Sequence, residues 1–116
     1  MYTLMAEPVS TDPIQETAVL VGLISQDQNE KQAREYIDEL AFLTDTAGAV
    51  VVGTFLQRLN MPNPVTFVGP GKLDEIAALI REQQVDILIF DDELTATQLR
   101  NIEKVVECKV LDRTNL

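Results

Sequence analysis

The chain contains no histidine, no tryptophan and a single cysteine, Cys108, and each absence narrows what it does. Without histidine, neither a Ser-His-Asp nor a Cys-His catalytic arrangement can be assembled within this chain, and the usual zinc sites lack their ligands. One cysteine allows no internal disulfide. It fits a reducing compartment, so the cytoplasm is the expected location. Basic residues are scarce: nine Lys and Arg stand against nineteen Asp and Glu, for a net charge of -10. A free-standing nucleic-acid binder needs clustered cations to track phosphate, and this chain has none. No apolar run approaches the roughly 20 residues that cross a bilayer, so no membrane span is expected. The first residues, MYTLMAEPVSTDPIQE, have neither a basic start nor a continuous apolar core, which excludes a signal peptide. Any chemistry here falls to carboxylates, lysine, tyrosine or backbone amides.

What is present is one domain's worth of protein, 116 residues with 46% hydrophobic content. Residues 1–16 mix Pro, Ser, Thr and acids without periodicity and read as a flexible leader. Thr17 to Leu23 is a short apolar run suited to a strand buried on both faces. Asp27 and Glu30 have capping-box spacing, and Ala33, Tyr36, Ile37, Leu40 and Ala41 then recur at helical spacing, ended by Gly48. Ala49 to Gln57 is β-branched and extended. Pro62 and Pro64 break the chain into a loop before a second helical pattern, Leu73, Ile76, Ala77 and Ile80. Asp86 to Phe90 and Cys108 to Asp112 read as strands around a third helix. That helix opens on a Thr95–Gln98 capping box and a Leu94–Leu99 staple. The expected fold is α/β: a small, mostly parallel sheet of about four strands with helices on both faces. Thr114 would cap another helix, so the chain reads as a fragment ending at a domain edge.

Two stretches invite a ligand. In TFVGPGKLDEI the order is strand, glycine turn, lysine, helix, as in many phosphate sites. Counting back from Gly71-Lys72, the first Walker glycine is Thr66 and the hydroxyl position is Leu73, so it is no Walker loop. Asp74 occupies the third glycine position of GxGxxG, so it is not that motif either. Two readings remain: an anion or nucleotide (ATP) site formed by Gly69, Gly71 and Lys72 at a helix start, or a structural turn with a solvated lysine. The turn Asp91-Asp92-Glu93 lies at the carboxyl end of a strand, where paired carboxylates could hold Mg²⁺ or form a solvated loop. A phosphoacceptor receiver would want its acids after the first strand, where Ser25-Gln26-Asp27 stands. Arg113 is a candidate for phosphate, for an ion pair or for an interdomain contact, and Cys108 is a small apolar filler.

Charge is unevenly spread. Between Thr46 and Leu73 the only charged residues are Arg58 and Lys72, whereas the first 45 residues hold nine acids and two bases. Two readings stand: if any face docks onto RNA or another domain, it is this one, from Gln57 and Arg58 through to Lys72, or the stretch is low in charge simply because much of it is buried.

The stretch ELAFLTDTAGAVVVGTFLQRLNMPNPVTFVGPGKLDEI resembles the N-terminal domain of HflX-type GTPases, whose pattern runs ELA, TAG, Q-R, P and G-x-GK. IFDDELTATQLRNIEKVVECKVLDRTNL is similar to the same family's strand, its D-x-L-x-x-x-Q-x-R-N-x-E helix and its V-x-DRT ending. The resemblance covers Thr17 to Leu116, so 17–116 is expected to be the domain. It implies a GTPase of the Obg–HflX group that binds the large (50S) ribosomal subunit, including its rRNA, and acts in translation or in ribosome recycling or biogenesis. It further implies a helical hairpin and a GTPase domain downstream of Leu116, where GTP and Mg²⁺ would be held. The fragment itself would carry no catalytic residue and no cofactor.

Overall fold

The structure, a computed structural model, describes residues 15–115. The leader expected at 1–16 falls outside these residues except for its last two. Four strands and three helices alternate: β1 (Thr17–Ile24), α1 (Glu30–Thr46), β2 (Val50–Arg58), α2 (Pro70–Gln83), β3 (Ile87–Phe90), α3 (Ala96–Val106) and β4 (Lys109–Asp112), followed by a 3-10 turn, Arg113–Asn115. Every strand pairing is parallel and the sheet order is β2-β1-β3-β4. The α/β expectation is met.

Period-two alternation along the strands sorts the core into two layers. Ala18, Leu20, Ile87 and Ile89 point to one face and pack with Ile37 and Leu40 of α1. Val19, Val21, Leu88 and Phe90 point to the other and meet Leu73, Ile76 and Ile80 of α2 and Ile102 and Val106 of α3. One helix therefore covers the first face and two cover the second. β1 and β3, central and covered on both sides, are almost wholly buried.

Helix boundaries follow local chemistry. α1 is capped by Asn29, whose Oδ1 accepts from the Gln32 amide at 2.7 Å, and not by Asp27 as the spacing suggested. Asn29 wins because Ser25 to Gln28 close a turn first, with the Gln28 amide donating to the Ser25 carbonyl, which delays the helix by two residues. Gly48, at φ +99°, stops α1 as expected. α2 opens on Gly69 and Pro70, where the missing proline N–H costs nothing. α3 opens on the full Thr95–Gln98 capping box.

Candidate functional site

The chain leaves β1 toward β2 and leaves β3 toward β4, on opposite sides of the sheet. Diverging connections open a crevice between the carboxyl ends of β1 and β3, where open α/β sheets accept ligands. A cleft of about 550 Å³ lies there, floored by Gly22 and Leu56 and walled by Tyr36 and Glu39 of α1, the Asp91–Glu93 turn and Arg113. Gly22 keeps the floor open: a Cβ there would come 3.0 Å from Leu56 Cδ2 and 3.2 Å from Ile37 Cδ1.

Parallel register places Phe90 beside Asp112, so the residues that follow, Asp91 and Arg113, emerge together. Arg113 Nε donates to Asp91 Oδ1 at 2.7 Å, its Nη2 bonds the same oxygen, and Nη2 also lies 3.6 Å from Glu39 Oε1. Asp91 is the buried member, with 8% of its side chain exposed. Burial raises its carboxyl above the ordinary aspartate value; Arg113 pulls it down, and Asp92 and Glu39 push it up again. One guanidinium thus bridges two carboxylates, one on β3's end and one on α1. Asp112 fixes the turn that delivers it: Oδ2 accepts from the Leu94 amide at 3.0 Å and Oδ1 from the Thr114 amide at 3.1 Å. Asp92 accepts from the Glu93 amide at 3.0 Å. Among the described residues, no three His, Cys, Asp or Glu side chains converge as metal ligands. A cation at Asp91 would have to displace Arg113.

The other sequence candidates lie at the same edge but are divided between the faces. Gln57 points to the α2 side, where its Oε1 accepts from the Gly69 amide at 2.9 Å. Lys72 leans along α2, with Nζ 3.4 Å from Glu75 Oε1 and 5.9 Å from the Phe55 ring centre. Arg58 turns the opposite way and donates to the Gln28 carbonyl at 3.4 Å in the β1–α1 connection. Gly71 has open space where a Cβ would stand.

Between β2 and α2 runs a loop that carries no carboxylate, exposed over its first half and buried at Phe67 and Val68: Met61 is 75% and Val65 53% accessible. It is nevertheless held. Asn63 Oδ1 accepts from the amides of Val65 (2.8 Å) and Thr66 (3.1 Å), and Asn63 and Phe67 exchange backbone hydrogen bonds at 2.9 and 2.8 Å. Phe67 adopts φ +67°, a conformation costly for any residue with a Cβ, inside a three-residue turn closed by Val68 N to Thr66 O at 2.6 Å. Its buried ring, edge-on to Phe90 at 5.5 Å, holds it there. Two α3 side chains finish the clamp: Gln98 Nε2 donates to the Asn63 carbonyl at 2.7 Å and Asn101 Nδ2 to the Val65 carbonyl at 3.1 Å. Sequence reasoning saw Gln98 only as a cap and passed over Asn63 and Asn101. The signal that could have found them was a pair of amides, Gln98 and Asn101, at one-turn spacing on α3.

Comparison with known proteins adds relatives to this geometry. A family model described as GTP-binding GTPase N-terminal matches residues 34–116. The GTPase HflX of Flavobacterium psychrophilum is 48% identical over 101 residues, which is 87% of this chain and 24% of that protein. That of Caldanaerobacter subterraneus is 42% identical, over 87% of this chain and 23% of the relative. That of Escherichia coli is 35% identical over the same shares. The chain spans about a quarter of the length of these relatives. Two crystal structures of SsGBP mutation variants superpose with TM-scores of 0.64 and 0.62 at 22% identity, covering 87% and 85% of this chain and 30% and 29% of theirs. At that identity the likeness speaks for the fold alone.

Proposed function

The chain belongs to the HflX family of GTPases, as their N-terminal domain, and from that premise we propose that it docks and regulates the GTPase on the large (50S) ribosomal subunit. In this reading residues 17–116 form the module and residues 1–16 a leader. GTP and Mg²⁺ are held by a GTPase domain downstream, and the whole protein works in the cytoplasm on translation or on ribosome recycling or biogenesis. The observation that carries the reading is the clamped, carboxylate-free loop between Arg58 and Lys72. A chain of charge -10 is repelled by rRNA phosphate, so close approach is favourable only through a surface without carboxylates. Met61 and Val65 give that surface apolar contact area, and Arg58 and Lys72 flank it. A loop fixed by five side-chain hydrogen bonds loses little entropy on docking. The alternative, a nucleotide site at Gly69, Gly71 and Lys72, has less support, because Gln57 already takes the Gly69 amide and Lys72 is turned onto Glu75 and Phe55.

Sedimentation of the full-length protein with large subunits across a salt series tests the reading. Arg58→Glu with Lys72→Glu, and separately Met61→Ser with Val65→Ser, are each expected to weaken binding by about tenfold or more. The charge pair should also flatten the salt dependence. Glu35→Lys with Asp38→Lys, on the outer side of α1, should leave binding intact or slightly stronger. If the α1 pair proves the more damaging, the docking face lies elsewhere.

A further inference from the structure

The two edges of the sheet are finished differently. β4 is four residues long and carries Lys109 and Asp112 at its ends, which discourages the addition of a further strand. β2, at the other edge, is nine residues long, contains no proline and holds no charge before Arg58. One side of its backbone is spent on β1. Val50 donates its amide to the Glu16 carbonyl and Leu59 donates to the Ile24 carbonyl. Counting back from Leu59 in twos, Gln57, Phe55 and Gly53 turn their backbone groups toward β1. Thr54, Leu56 and Arg58 turn theirs outward, and among the described residues no strand lies there. The register shift between Ala18 and Val19 confines this regular edge to Gly53 and beyond.

Charge along this edge runs from positive to negative. At the carboxyl end of β2 stand Arg58 and, in the first turn of α2, Lys72. At its amino end lie the last turns of α1 and α2, with Asp45 and Glu82. Helical spacing sets both acids on the β2 side. Asp45 follows Ala41 by one turn, and Ala41 packs in the layer of Val51 and Leu56, on the flank of α1 away from Tyr36 and Glu39. Glu82 follows Leu79, whose Cδ2 lies 2.9 Å from where a Cβ on Gly53 would stand. Arg58, Asp45 and Glu82 are exposed and form no ion pair among the described residues.

We propose that this edge is where two copies of the chain join, β2 pairing antiparallel with β2 of a second copy about a two-fold axis at Phe55. Thr54 of each copy then faces Leu56 of the other, and the two four-stranded sheets become one. Antiparallel pairing sets the cationic end of each edge against the acidic end of the other, whereas parallel pairing would set like against like. That complementarity is what selects a second copy as the occupant. Elsewhere the charge of -10 repels such a copy, but Val50 to Arg58 carry no carboxylate. The pairing does not rest on the ribosome reading, and its test reads mass alone.

Sedimentation equilibrium of the full-length protein tests it. The expected result is a monomer–dimer equilibrium with a dissociation constant of about 1–50 μM. Thr54→Pro removes one outward N–H and leaves the bonds to β1 in place, so it should weaken the dimer at least ~10-fold. A charge exchange supplies a second arm, which decides if the proline variant fails to fold. Arg58→Asp alone and Asp45→Arg alone should each weaken the dimer ~5-fold or more, and the two together should restore it. A monomer at every concentration up to about 100 μM overturns the proposal. So does a dimer that a folded Thr54→Pro leaves unchanged, because the copies would then be joined elsewhere. A double variant no stronger than the single ones overturns the antiparallel two-fold.

Discussion

The side-chain amide of Gln98 joins two elements at once: Oε1 accepts from the Thr95 amide at 2.9 Å and Nε2 donates to the Asn63 carbonyl at 2.7 Å. One residue therefore closes the capping box of α3 and pins the exposed loop to it. The two roles separate in Gln98→Glu. A carboxylate still accepts from Thr95, so the cap survives, but it cannot donate to Asn63. Amide exchange at Asn63 and Phe67 is expected to accelerate at least ~10-fold while the first turn of α3 is unchanged. In Gln98→Ala both roles go, with a stability loss of about 1–3 kcal/mol. Unaltered exchange at Asn63 in the Glu variant would show that the loop is held without α3.

The Asp91–Arg113 pair predicts a pH dependence. The carboxyl of Asp91 is raised in the folded state because burial outweighs the help from Arg113, with Asp92 and Glu39 adding to the rise. A raised carboxyl means that the folded chain holds this proton more tightly than the unfolded chain does. Its contribution is then most favourable below the ordinary value of 3.8 and is lost as pH rises through the folded value. Denaturant unfolding of the wild type and of Asp91→Asn, compared from acid to neutral pH, reads the effect as a difference. The wild type should lose ground relative to the variant as pH climbs above 3.8. A wild type that gains ground instead would mean that Arg113 dominates.

The alternation of elements was legible because each strand and helix carries its own pattern. The apolar runs of β1 and β3 announce strands covered on both sides, and Thr95 and Gln98 announce the start of α3. The cap of α1 was misplaced by two residues because Asp27 and Asn29 are both good caps, and a turn between Ser25 and Gln28 chose between them. The candidate site was legible in part. Asp91 and Arg113 could be named as charged residues at strand ends, but the contact with Glu39 depends on where α1 lies over the sheet. The clamp on the loop was hidden for a similar reason. Asn63 and Gln98 are 35 residues apart, and nothing local marks them as partners.

Gly71 separates a structural from a functional glycine. It stands in the first turn of α2, where an added Cβ would meet nothing within 4 Å, and its φ is not in the left-handed range. Neither packing nor backbone conformation therefore requires a glycine. Gly71→Ala should stabilise the protein by about 0.5–1 kcal/mol in urea unfolding, since alanine loses less entropy on entering a helix. A loss of stability would expose a constraint at this turn that the surrounding geometry does not account for.

Each of the three helices hands over through a left-handed residue, a glycine after one and a residue with a side chain after two, which predicts opposite effects for substitutions to and from glycine. α1 is followed by Gly48 at φ +99°, whereas α2 and α3 end on Gln84 at φ 52° and Glu107 at φ 55°, both exposed. A side chain in this left-handed region is strained, and glycine relieves the strain. Gln84→Gly and Glu107→Gly should each stabilise by about 0.5–1 kcal/mol, despite glycine's greater freedom in the unfolded chain. Glu107→Gly should gain more, because it also removes a negative charge from the negative end of a helix. Gly48→Ala should cost about 1 kcal/mol or more, although no atom lies within 4 Å to clash with the new methyl. Urea midpoints for the three variants measure this directly. If Gln84→Gly and Glu107→Gly both destabilise, the side chains at those ends contribute more than the backbone strain they impose.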